Sequence, residues 1–181
     1  QIDIMAFDKT GTLTEGKMKV TKVIPIGVSE HQLMQLAASL EANSEHPLAK
    51  SILAHAATFG ISPTVVERAE AVPGKGIYAT QEGYRYFAGN RKMLLETGIA
   101  IDEKTETALS DLETEGQTAI IIGSTIVLGV IGISDTIRES AKETISELRK
   151  TGVKRIVMLT GDHTAVAHSV GRELGILPED I

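Results

Sequence analysis

Apolar residues crowd the opening stretch 2–7 ("IDIMAF"), and small polar and glycine positions follow at once in 8–16. That pattern predicts a strand over 2–7 and a loop over 8–16. "KMKVTKVIPI" (17–26) reads as the next strand. Ser29 is placed to cap a helix running to about Ala42, with Leu33, Leu36, Ala37 and Leu40 as its apolar stripe. A second helix starts at His46-Pro47, proline suiting a first turn, and stops at Gly60. Strands follow over 65–72, 77–81 and 84–88, then helices over 90–97 and 102–115, the latter closed by Gly116. "TAIIIGSTIVLGVIGIS" (118–134) divides at Gly123-Ser124-Thr125 into two strands. "TIRESAKETISELRKTG" sets Ile137, Ala141, Ile145 and Leu148 on one helical face and ends at Gly152. A strand over 154–160, Gly161-Asp162 and a helix from Thr164 to about Leu174 complete the pattern.

The two ends of the chain therefore read as strand–loop and strand–helix–strand–helix, the signature of a parallel α/β sheet. The middle reads as antiparallel strands with helices, which one domain inserted into a loop of another explains. The boundaries this gives are 1–22 with 127–181 for the outer domain and 23–126 for the insert, with hinges near 21–24 and 124–130.

Composition narrows the class without naming it. The 181 residues are 42% hydrophobic and 23% charged, an ordinary globular balance. A net charge of −6, with the basic residues scattered, argues against a nucleic-acid partner. Cysteine is absent, which excludes disulfides and thiolate metal sites. The apolar run 118–134 is β-branched and broken by its turn, so it suits strands better than a membrane span. "QIDIMAFD" already has strand character at residue 1, so no signal peptide is expected and the chain reads as a piece of a longer protein.

The chemistry lies at two strand ends, "FDKTGT" and "LTGDH", where ligands of doubly wound sheets collect. Each offers a hydroxyl, a glycine that lets backbone N–H groups approach an anion, and an acid. Asp8 poised there can attack a phosphoryl group and become an acyl phosphate. Thr10 occupies the position two residues on, where a phosphatase would want a general acid–base.

The string Asp8-Lys9-Thr10-Gly11-Thr12-Leu13-Thr14 resembles the phosphorylation signature of P-type ATPases, the cation pumps, whose phosphorylation domain has a haloacid-dehalogenase-like fold. "MLTGDHTAVAHSVGRELGI" (158–176) resembles that family's Thr-Gly-Asp element, though His163 replaces the more frequent Asn. The resemblance implies that Thr160 and Gly161 meet the phosphoryl group and that Asp162 positions nucleotide or Mg²⁺. "GVIGISDTIRESAKE" (129–143) resembles the hinge region, with Asp135 and Arg138 at its Asp-x-x-Arg positions, where the resemblance implies ATP-binding residues, and Glu139 where Pro is usual. "SEHP" (44–47) resembles the His-Pro motif of the heavy-metal subclass. By that resemblance Glu41 contacts the adenine amino group and His46 orients the nucleotide. Gly74, Gly76 and Ile77 would pack against adenine, with Gly89 and Asn90 completing the ligand wall. A carboxylate accepting from an exocyclic amine suits adenine over guanine.

The resemblance therefore implies an α/β fold: a haloacid-dehalogenase-like Rossmannoid phosphorylation domain, incomplete at its C-terminus, with an inserted α+β nucleotide-binding domain. It implies ATP and Mg²⁺ as cofactors, the metal at Asp8 and Thr10. It places the chain on the cytoplasmic side of a membrane, beside an actuator domain and transmembrane helices that bind the transported heavy-metal ion. The family's Gly-Asp-Gly-x-Asn-Asp element is not among residues 1–181, so the chain alone is expected to bind ATP but to autophosphorylate poorly. A free-standing phosphohydrolase and a non-catalytic nucleotide-binding module are the competing readings.

Overall fold

A computed structural model describes residues 2–161 and 164–181, and the chain divides into two compact units. Unit 1 comprises residues 1–18, 113–117 and 134–181; unit 2 comprises 19–112 and 118–133.

In unit 1, strand β1 (Ile4–Asp8) pairs in parallel with β8 (Arg155–Leu159). The register matches Met5 with Ile156 and Phe7 with Met158. Paired residues share a face of the sheet, and this face packs on α5 (Glu139–Lys150) and α6 (Thr164–Leu174) through Ala141, Ile145, Ala167 and Leu174. The opposite face is open: Ile4 and Leu159 are each 56% exposed. Between β1 and β2 (Thr14–Pro25) the chain makes a tight turn over Lys9–Leu13. Thr10 at ψ 122° and Gly11 at φ 78° take that turn out of helical geometry.

In unit 2, a six-stranded sheet runs in the order β2-β7-β6-β5-β4-β3. Its other members are β3 (Glu67–Val72), β4 (Gly76–Gln81), β5 (Tyr84–Gly89), β6 (Thr118–Gly123) and β7 (Val127–Ile137). β3 through β7 pair antiparallel in sequence. Glu82 and Gly83, at φ 51° and 82°, form the two-residue turn between β4 and β5 that suits the strand twist. Helices α1 (Glu30–Glu41) and α2 (Pro47–Thr58) pack on each other, and α1 lies across β4 and β5. Ser29 caps α1 as predicted, in a reciprocal capping box with Gln32. Helices α3 (Arg91–Thr97) and α4 (Glu103–Thr114) supply Met93, Leu94, Leu109 and Leu112 to a core with Phe87, Ile121 and Val130.

Some boundaries differ from those the pattern predicts. β2 begins at Thr14, so the loop is shorter than 8–16. β7 extends to Ile137, which puts that residue at a strand end rather than on a helix, although it still packs on the unit 1 core. The cause is residue 138, whose backbone N–H bonds to Leu13 O instead of starting a helical turn upstream. Residues 21–24, expected as a hinge, lie inside β2, and 124–130 takes in the β6–β7 turn and the start of β7. The edges of the compact units fall after Met18, earlier along β2, and after Ile133, later along β7. Among the described residues no helix is long and apolar enough to cross a membrane.

Candidate functional site

The parallel register sets Asp8 opposite Leu159, so Asp8 and Thr160 stand at the carboxyl ends of adjacent strands. Neighbouring strands lie about 4.8 Å apart, which brings both within reach of one small ligand. Asp8 is exposed and makes no hydrogen bond or ion pair among the described residues. Thr10 and Gly161 are also exposed, whereas the Lys9 side chain is buried, at 3% exposure. Space is open where a side chain on Gly11 or Gly161 would point, while the Gly11 N–H is itself donated to Thr14 Oγ1. Asp162 and His163 lie outside the described residues.

Asp135 and Arg138 turn back onto the Asp8 loop. Asp135 accepts from the Thr14 hydroxyl at 2.5 Å and from Lys17 N–H at 2.9 Å, using both oxygens. Arg138 donates through Nε to Thr14 O and through Nη2 to Gly11 O, each at 3.0 Å. Thr14 has no exposed surface, and its Oγ1 also accepts from Gly11 N–H at 3.2 Å. Its single hydroxyl proton goes to the carboxylate, the shorter and charged contact, rather than to Lys9 O at 3.1 Å. Sequence pattern assigns Thr14 no role. Its one local signal is a hydroxyl residue at the start of a strand, and pattern places that start three residues too late.

In unit 2, Glu41 ends α1, and burial pushes its carboxyl above the ordinary range, with a hydrogen bond from Ser44 acting in the opposite direction. His46 caps α2: its Nδ1 accepts from Leu48 N–H at 3.2 Å. That bond fixes the proton on Nε2, the nitrogen turned away from the helix end.

The glycines divide into two kinds. A Cβ on Gly76 would sit 2.1 Å from Ala88 O and 2.8 Å from Met93 Sδ, and one on Gly89 would sit 2.2 Å from Met93 Sδ. These residues pair across β4 and β5, so their missing side chains serve strand packing rather than access for a base. Gly74, at φ 71°, has nothing within 4 Å of such a Cβ and does leave open space. Ile77 pairs with Ala88, and Ala88 with Ile122 and Gly129 in turn; a Cβ on Gly129 would strike Leu33 of α1. Ile77 therefore faces the α1 side of the sheet, while Gly76 and Gly89 face Met93 of α3. Asn90 is engaged at both ends, accepting from Met93 N–H at 3.2 Å and donating to Gly74 O at 2.8 Å. A separate groove of about 220 Å³, lined by Gln32, Leu36, Gln81 and Tyr86 among others, contains none of the predicted site residues.

A loop of this kind after a parallel strand, with a carboxylate at its lip that is uncommitted among the described residues, agrees with the family comparison. The family model described as "haloacid dehalogenase-like hydrolase" matches residues 2–179. The chain belongs to that family. It is 43% identical over 176 residues to the "Copper-exporting P-type ATPase B" of Archaeoglobus fulgidus and 40% identical over 176 residues to the "Probable copper-importing P-type ATPase A" of Enterococcus hirae. Each match takes in 97% of this chain but only 25% and 23% of those relatives, so the chain spans about a quarter of their length. The crystal structure of a zinc-transporting PIB-type ATPase in its E2.Pi state superposes with a TM-score of 0.82 at 37% identity, over 99% of this chain and 30% of that one. Heavy-metal P-type ATPases are thus the homologues, and the α/β, haloacid-dehalogenase-like fold expected from the sequence is the one observed.

Proposed function

We propose that this chain is the ATP-binding and aspartyl-phosphorylation region of a heavy-metal P-type ATPase. Unit 1 acts as the phosphorylation domain and unit 2 as the nucleotide-binding domain. The observation that carries this reading is Asp8: an exposed carboxylate, unpaired among the described residues, at the end of a parallel strand. It stands opposite Leu159, one residue before Thr160, with open space beside the Cα of Gly11 and of Gly161.

In the proposed reaction an Asp8 oxygen attacks the γ-phosphorus of ATP. The bond from that phosphorus to the bridging oxygen breaks, and ADP leaves with the electron pair. Thr160 and the Gly161 backbone orient the transferred group. Asp162 belongs to the same proposal. Mg²⁺, when bound, would neutralise phosphate charge, held by the Asp8 carboxylate and Thr10. Among the described residues no group of three or more acid or His side chains gathers to hold a metal. A one-carboxylate site still fits Mg²⁺, which commonly leans on substrate phosphates and water. Glu41 accepts from the adenine amino group, Nε2 of His46 orients the nucleotide, and the base rests over Gly74 and Ile77. Gly76, Gly89 and Asn90 support that wall from behind. In the full-length protein the acyl phosphate would drive ion transport on the cytoplasmic side of a membrane. Copper export, copper import and zinc transport all occur among the relatives, so the cargo is not carried over.

Titration calorimetry tests the nucleotide half of this reading. ATP should bind the chain with measurable heat, and Glu41→Ala should weaken it about tenfold, the worth of one good hydrogen bond to a charged group. Asp8→Asn should leave the affinity within about twofold. No binding, or equal binding by the Glu41 variant, would contradict the assignment.

A further inference from the structure

We propose that Thr14, Asp135 and Arg138 are positioning residues for the Asp8 loop and not contacts to the nucleotide. The inference rests on Asp8 being the phosphoryl acceptor, but its geometry stands independently. Within the tight turn over Lys9–Leu13, with non-helical residues at 10 and 11, Thr14 N–H returns to Lys9 O, and further groups of the turn are met from outside it. Residue 138 supplies donors to Gly11 O, Leu13 O and Thr14 O. Thr14 Oγ1 takes the Gly11 N–H and passes its own proton to Asp135, which also takes Lys17 N–H at the start of β2. The loop is thereby tied at both its carbonyl and amide sides to the end of β7. Gly11, in the loop that follows Asp8, is bonded through its N–H to Thr14 and through its C=O to Arg138. Thr14 is wholly buried with its hydroxyl fully used, so it acts through the loop and touches no ligand itself.

Amide exchange by NMR on the 181-residue chain reads the clamp directly. Thr14→Val keeps the shape and removes the acceptor, so the Gly11 amide should exchange about five- to tenfold faster, as the loss of one hydrogen bond implies. Thr14→Ser restores the oxygen and should return exchange to within about threefold of the parent. Arg138→Met keeps the stem without the fork; it should accelerate exchange across residues 11–14 while the ATP dissociation constant by calorimetry stays within about twofold. Gly11 exchange unchanged in both Thr14→Val and Arg138→Met would overturn the proposal. So would a tenfold loss of ATP affinity in Arg138→Met with the loop amides unmoved, which would return Arg138 to the nucleotide. Should Thr14→Val fail to fold, Arg138→Met gives the same reading from the surface. Failure of the parent chain to bind ATP would sink the functional assignment instead, leaving the exchange result to decide the clamp.

Discussion

Glu41 carries the most legible electrostatic consequence in unit 2. Burial at the end of α1 raises its carboxyl pKa from the ordinary 4.5, so the folded protein holds that proton longer than the unfolded chain. Between 4.5 and the raised value the native state binds more protons, and stability falls as pH rises through that window. Below it both states are protonated and nothing is lost. Glu41→Gln cannot ionise. Its melting temperature should therefore gain on the parent as the buffer moves from about pH 4 to about pH 7. A gap between the two that stays constant with pH would contradict the buried setting of this side chain. Under the proposed function, a half-buried acceptor is costly when empty and rewarded when an adenine amine reaches it.

At the scale of elements, β4 and β5 approach closely because glycine faces glycine. Gly76→Ala would force a Cβ to 2.1 Å from Ala88 O at a φ of 152°, so either the strands separate or Met93 is displaced. Overpacking of this kind costs about 1–3 kcal/mol, to be read as a lower urea midpoint with an unchanged slope. Gly74→Ala meets open space and incurs only the left-handed backbone penalty of about 1–2 kcal/mol. The two variants should differ more in ATP affinity than in stability. Gly74→Ala, next to the proposed adenine position, should weaken binding at least as much as Gly76→Ala. The reverse order would move the base to the Met93 face. Sequence pattern located nearly every element here, because a helix cap such as Ser29 and the apolar runs of 118–134 are local signals. Pattern did not reveal that Gly76 and Gly89 are partners, that Ile77 faces the opposite side of the sheet from them, or that Asp135 and Arg138 reach back to residues 11–17. Those facts depend on register between strands distant in sequence, and no local window contains it.

Across the whole molecule, the residues proposed for phosphoryl transfer and for nucleotide binding fall to different compact units, with Asp8 in one and Glu41, His46 and Gly74 in the other. β2 and β7 each run through an edge between them, and the Thr14–Asp135 bond ties the two strands within unit 1. In the proposed reading, the Asp8 carboxylate, unpaired among the described residues, receives the phosphoryl group in unit 1, and the half-buried Glu41 of unit 2 selects adenine. The motif string around Asp8 pointed to the family at the outset; the clamp beneath it did not show. The most direct test uses the full-length protein, incubated with ATP labelled at the γ-phosphate, quenched in acid and mapped by mass spectrometry. The account predicts label on Asp8 alone, stable in acid, released by hydroxylamine as an acyl phosphate must be, and absent from Asp8→Asn. Label on another residue, or label that survives Asp8→Asn, would contradict it.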